Sequence, residues 1–232
     1  ALALASMSAA AGYGGTMIAV TSSHFGSAEK EFRFPLGYAN QRPLSSHWTV
    51  TGSGAFLVQS AEEYRKQNTK SYFSNIRITG VTVGKIVDYG LKDSQNMGAC
   101  MAPAAMDTIV QNFQDMERKE KDYDRIITGD LGSIGRTILF DLIREKGYDI
   151  CEKHMDCGMT IFDKERQDTH AGGSGCGCAA VTLASYVLPK LEKGEWKRVL
   201  FVPTGALMST VSFNEGASVP GIAHGIVLES DA

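Results

Sequence analysis

The sequence predicts an α/β protein of five layers, α-β-α-β-α, in which two mixed sheets enclose a buried pair of helices. Two observations carry this. In the second half of the chain, apolar strand-like runs alternate with helical patterns, as parallel strands joined by crossover helices do. The helical patterns are also of two kinds. Met101 to Met116 and Ile134 to Lys146 carry apolar residues on one stripe only, whereas Ala1 to Ala11 and Cys176 to Leu188 carry no charge. A one-striped helix belongs on an outer face, and an uncharged one needs cover on all sides. A helical layer between two sheets satisfies both.

Taken in order, Ala1 to Ala11 (ALALASMSAAA) consists of small helix formers and reads as a central helix, ended by Tyr13 to Gly15. Met17 to Ser22 is a short buried strand. His24 to Trp48 has charges, aromatics and two prolines without a period, which reads as a functional or interface loop with Arg33 and Arg42 as its fixed cations. Trp48 to Gln59 is a strand interrupted by a turn, and Ala61 to Lys70 is a polar connection that closes the first half.

Beyond it, Ile76 to Asp88 alternates as a half-exposed strand does. The amphipathic helix at Met101 to Met116 precedes the strand Tyr123 to Thr128, which ends in Gly129 and Asp130. A second amphipathic helix, Ile134 to Lys146, is stopped by Gly147. A short strand is expected at Met159 to Phe162, then the Gly- and Cys-rich stretch with its helix, and finally strands at Arg198 to Thr204 and Ile222 to Glu229.

Composition bounds the function. The chain has 232 residues, 43% hydrophobic and 21% charged, with a formal net charge of −3, which suits a soluble globular protein with a sizeable core. Lys and Arg are spread along the chain, so no phosphate-backbone footprint is present and nucleic acid is not an expected partner. Five cysteines without framework spacing fit reduced thiols. No apolar run approaches the roughly 20 residues that span a bilayer, so any membrane association is expected to be peripheral.

The chemistry is expected where the loops before Ala1, at Thr128 to Gly132 (TGDLG) and at Gly172 to Cys178 (GGSGCGC) converge, with the last strand bringing His224. A helix N-terminus carries about half a positive charge and unpaired N–H groups, which suit carboxylates. Cys176 and Cys178 lack the second spaced pair that a structural zinc site needs. Close packing of small residues is their plainer reading, and a thiolate nucleophile at the helix start is the sharper one. Asp130 is a candidate Ca2+ ligand, hydrogen-bond acceptor or cap of the helix that follows. His224 sits in an apolar strand, where a satisfied core histidine is the common outcome.

The segments HWTVTGSGAFLV, MAPAAMDTI, DYDRIITGDLG, DCGMTIFD, AGGSGCGCAAVT, RVLFVPTGALMS and VPGIAHGIVLE resemble the stage V sporulation protein AD family of spore-forming bacteria, a branch of the thiolase-like, ketoacyl-synthase fold. The resemblance implies that 1–70 is the remainder of an N-terminal thiolase-like half, that 71–232 is the C-terminal half, and that the opening strands and nucleophile-bearing turn of catalytic relatives lie before Ala1. Condensing relatives place a His and an Asn, or two His, on loops that here read TGDLG and GGSGCGC. Gly129 or Asp130 stands at the first position, and Ser174 or a neighbouring Gly at the second, so little condensing activity is expected. The resemblance implies instead a non-catalytic component that binds dipicolinic acid, free or as the Ca2+ chelate, for uptake in sporulation and release in germination. Asp130, Ser174, Cys176 and His224 are the expected pocket residues, with no resident metal or cofactor. The expected setting is the spore inner membrane, peripherally, as a homodimer beside the membrane proteins of the SpoVA complex. An acyl-transferase using a Cys nucleophile is the alternative.

Overall fold

The computed structural model describes residues 1–26, 43–66 and 75–231; Arg33 and Arg42 lie outside them. Helix α1 (Leu2–Ala10) leads into strand β1 (Thr16–Ser23). After β2 (His47–Thr49), β3 (Gly52–Gln59) and a short helix α2 (Ala61–Lys66) come β4 (Ile76–Thr82), the long helix α3 (Met97–Asp115) and β5 (Arg125–Thr128). Then follow α4 (Gly132–Glu145), β6 (His154–Asp156), and the short helices α5 (Cys157–Ile161) and α6 (Lys164–Gln167). Strand β7 (Gly172–Ser174) runs into α7 (Cys176–Thr182), which continues through a π-helical turn (Leu183–Val187) into α8 (Leu188–Glu192). Last come β8 (Arg198–Val202), β9 (Thr204–Ala206), α9 (Thr210–Asn214), β10 (Gly221–Ala223) and β11 (Gly225–Ser230).

Five strands form the main sheet in the order β4-β11-β8-β5-β6. It is mixed: β5 is parallel to β6 and β8, and β11 is antiparallel to β4 and β8. Successive side chains of a strand face opposite ways, and here both faces are apolar. Ile126, Leu200 and Val227 pack with Ile109 and Phe113 of α3 and Leu139 and Ile143 of α4. Ile127, Val199, Phe201, Ile226 and Leu228 pack with Cys178 of α7, Leu183 and Val187 of the π turn, and Leu191 of α8.

The second sheet is a two-stranded antiparallel ribbon, β1 with β3. Its inner face lies on α7 so closely that a Cβ at Gly54 would sit 2.8 Å from that of Ala180. Helix α1 touches both ribbon strands, and its Leu2 and Ala3 join the same apolar cluster as Phe56 and Leu183. Both uncharged helices therefore lie between ribbon and main sheet. Four of the five layers are thus in place. The fifth, outside the ribbon, is not found among the described residues, and Ile18, Val20 and Leu57 of the outer face are 67%, 59% and 66% exposed.

Several expectations are corrected. Helix α1 is not covered on all sides, because Leu4 and Met7 face out and only Ala5 and Ala9 are buried. The run from Trp48 to Gln59 is two strands with different partners: β2 pairs with β7, and β3 with β1. Met159 to Phe162 is mostly helix, because Asp156 caps a turn that opens on small residues; the strand lies just before it. Helix α3 is buried through its first half rather than on one stripe, since the β9–β10 hairpin also covers it and Gly221 lies against the Cys100 carbonyl.

Candidate functional site

Ligand sites in α/β sheets gather beyond the carboxyl ends of parallel strands, and there Gly129–Asp130, after β5, faces Pro203–Thr204, after β8. Gly129 has no side chain and no room for one: a Cβ would lie 2.9 Å from the Thr204 nitrogen and 3.2 Å from the Pro203 Cα. Asp130 is buried. Its Oδ1 accepts from the Thr204 hydroxyl at 2.8 Å, and its Oδ2 accepts from the Gly175 N–H at 3.0 Å. One carboxylate thereby ties β5, β8 and the turn between β7 and α7. Gly175 is needed in that turn because its φ is +99°.

The start of α7 is held from the ribbon side as well. The Ser23 hydroxyl accepts from the Gly177 N–H at 2.8 Å and donates to the Val50 carbonyl at 2.6 Å. The Cys178 N–H turns back to the Gly175 carbonyl. Of the helix-start donors expected to meet a carboxylate ligand, those of Gly175 and Gly177 are already bonded within the protein.

A second carboxylate stands behind the first. Asp156, 3% exposed, receives four hydrogen bonds. Its Oδ2 takes the Thr128 hydroxyl at 2.7 Å and the Leu131 N–H at 2.9 Å, and its Oδ1 takes the N–H groups of Gly132 and Met159 at 3.2 and 3.1 Å. The start of α4, which has no cap of its own, and the start of α5 thus share one anion. Burial pushes the Asp156 carboxyl up, and these donors oppose that shift. Because Thr128 gives its single hydrogen to Asp156, His154 Nε2, 3.0 Å from the same oxygen, is the donor. Burial, helped by the charge of Arg136, lowers the His154 pKa to about 3. On the other side of the loop, His47 Nε2 lies 3.3 Å from the Leu131 carbonyl.

The buried thiols are poor nucleophiles. Burial raises Cys178 and Cys157, and the carboxylates of Asp130 and Asp156 raise both further. Cys176 is exposed at the first residue of α7.

Asp130, Ser174 and Cys176 are brought together. Ser174 is 4% exposed at the end of β7, where its carbonyl accepts from the Val50 N–H. His224 is not joined to them. It lies in the break between β10 and β11 rather than within an apolar strand, and its Nδ1 accepts from the Gly84 N–H at 3.1 Å. It shares the same end of the sheet, but β8 separates its strand from β5. Asp130 holds the Gly175 N–H just before α7 rather than capping the helix that follows it, and Asp156 takes that capping role. Ser23, Thr204 and Asp156 went unread in the sequence; an Asp before the small residues Cys157 and Gly158 is the one legible cap signal among them. Among the described residues, no group of three or more His, Cys, Asp or Glu side chains is placed to hold a metal ion.

This fold is that of the thiolase-like condensing enzymes. The chain superposes on a tetronic acid condensing enzyme, AbyA1, with a TM-score of 0.58 at 13% identity, covering 99% of this chain and 64% of that one. On 3-oxoacyl-[acyl-carrier-protein] synthase III of Aquifex aeolicus VF5 the TM-score is 0.56 at 11% identity, over 99% and 62%. Within that class, the profile described as Stage V sporulation protein AD (SpoVAD) matches residues 1–229. The chain is 42% identical over 228 residues to the Stage V sporulation protein AD of Bacillus subtilis (strain 168), covering 98% of this chain and 64% of that relative. The chain belongs to the stage V sporulation protein AD family.

Proposed function

We propose that this chain is the ligand-holding part of a non-catalytic sporulation protein that binds dipicolinic acid, taking it up in sporulation and releasing it in germination. The observation that carries the non-catalytic reading is the loop after β5. The residue standing where condensing relatives keep a base is either a glycine without room for a Cβ or an aspartate already bonded to Gly175 and Thr204. The ligand itself is taken from the family resemblance.

The electrostatics sharpen it. Asp130 and Asp156 already stand at this end of the sheet, so a free dicarboxylate meets like charge. The calcium chelate, in which Ca2+ neutralises the cargo, is the form the site favours. Cys176 and Ser174 supply contacts from α7 and β7, and His224 a more remote one from the same end of the sheet, across β8. No described helix is long and apolar enough to cross a membrane; the protein works peripherally at the spore inner membrane, as a homodimer beside the membrane-spanning SpoVA proteins.

Alanine at Asp130, Ser174, Cys176 and His224, one at a time, is expected to weaken dipicolinate binding measured by calorimetry with Ca2+ present. Wild-type affinity in all four variants would sink the site assignment. An acyl-transfer reading rests on the one exposed thiol at the start of α7, Cys176; acyl-coenzyme A that releases thiol in the wild type and not in Cys176→Ala would favour it.

A further inference from the structure

We propose that Asp156 is a positioning residue for ligand binding: from behind the site it fixes the Gly129–Gly132 loop, and through that loop sets where Asp130 holds the start of α7. This rests on the reading that the loop cluster binds dipicolinate.

Asp156 makes none of its side-chain hydrogen bonds to Asp130, Ser174, Cys176 or His224. Its four donors come from the end of β5 (Thr128), the start of α4 (Leu131, Gly132) and the first turn of α5 (Met159). Asp130 lies between the first two of these contacts in sequence. With Thr128 held on one side and Leu131 on the other, the intervening Gly129–Asp130 segment has little freedom, and the packing of Gly129 against Pro203 and Thr204 removes more. The Asp130 carboxylate then meets the Gly175 N–H at 3.0 Å. A loop carrying two glycines and an aspartate would otherwise sample many conformations. A buried anion that accepts four hydrogen bonds, three of them from two helix starts, is a device for reducing that number.

Asp156→Asn keeps the shape and replaces one oxygen by an NH2 group facing N–H donors. At least one backbone N–H loses its acceptor, and hydrogen bonds to a charged group are strong enough that the loss corresponds to about ten- to hundredfold in an equilibrium. The primary measurement is amide hydrogen exchange at Gly175, whose N–H bonds Asp130 and not Asp156. Exchange there is expected to accelerate by about tenfold or more in Asp156→Asn. It should stay near wild type in a core variant at the far end of the sheet, Leu228→Val or Leu228→Ala, chosen to match its melting temperature. Equal acceleration in the matched control, or none in Asp156→Asn, overturns the proposal, because Asp156 would then contribute only to global stability.

The second measurement is dipicolinate titration of Asp130→Asn, Asp156→Asn and the double variant. If Asp156 acts through Asp130, the double variant binds no more weakly than the weaker single one; multiplied losses contradict the relay. A wild-type protein that binds no dipicolinate removes the functional reading, while the exchange result still decides the positioning.

Discussion

The main sheet and the ribbon treat their apolar residues in opposite ways. In the five-stranded sheet both faces are covered, and Ile126, Ile127, Val199, Leu200, Val202 and Val227 are inaccessible to solvent. In the β1–β3 ribbon only the inner face is covered, while Ile18, Val20 and Leu57 on the other stand in water. Equal hydrophobicity in sequence therefore has unequal consequences. Burial stabilises by roughly 25 cal/mol per Å2 removed from water, and the outer face of the ribbon gains little of it within the described chain. The candidate site is placed accordingly, with Asp130 and, behind it, Asp156 at the end of the covered sheet and the ribbon contributing Ser23 as a clamp on α7.

The largest test of this contrast is a pair of truncations. Leu200→Ala is expected to cost about 2–5 kcal/mol, since it opens a cavity in a core that closes only partly around it. Ile18→Ala should stay within about 0.5 kcal/mol, as surface substitutions do. Urea unfolding of both measures the difference, and similar losses would mean that the ribbon is covered in solution. Next, Gly54→Ala puts a methyl against Ala180 on the covered side of the ribbon. A loss of about 1–3 kcal/mol, as for an overpacked core, is expected; a neutral result would show that α7 is loosely seated.

His154 gives a pH-dependent test of the covered sheet. Its pKa is about 3 when folded and near 6.5 when unfolded, so the unfolded chain binds the extra proton between these values. Stability should fall as pH drops through that window, with a slope of up to about 1.4 kcal/mol per pH unit, and should not change through this group above pH 6.5. His154→Gln flattens that part of the profile; an unchanged profile would mean that the imidazole is accessible. The smallest effect belongs to the exposed Glu62–Lys66 ion pair on α2, where Lys66→Ala should leave the melting temperature unchanged.

How much of this was legible in the sequence divides along the same line. The layer order was readable because it rests on which faces are apolar, and Cys176–Leu188 without charge and Ile134–Lys146 with one stripe declared theirs. Boundaries were less readable where a single side chain decides them. Asp156 ends a strand and caps a helix, and the break at His224 divides one apparent strand into β10 and β11. In the candidate site, the meeting of Asp130 with the turn between Ser174 and Cys176 was legible because both loops are Gly-rich. Ser23, Thr204 and Asp156 were not, because their roles depend on partners far away in sequence: Gly177, Asp130, and the Leu131–Gly132 turn. Hydrogen bonds of that kind have no local periodicity to betray them.

On the proposed function, the fold has kept a site and lost a reaction. The direct measurement is calorimetric titration of dipicolinic acid, with and without Ca2+, alongside an assay for thiol release from acyl-coenzyme A. Because this chain spans 64% of its Bacillus subtilis relative, both the 232-residue chain and a chain of the relative's full length are titrated. Saturable binding, tighter with Ca2+, and no thiol release are the expected results. Thiol release without dipicolinate binding in either chain would contradict the proposed function.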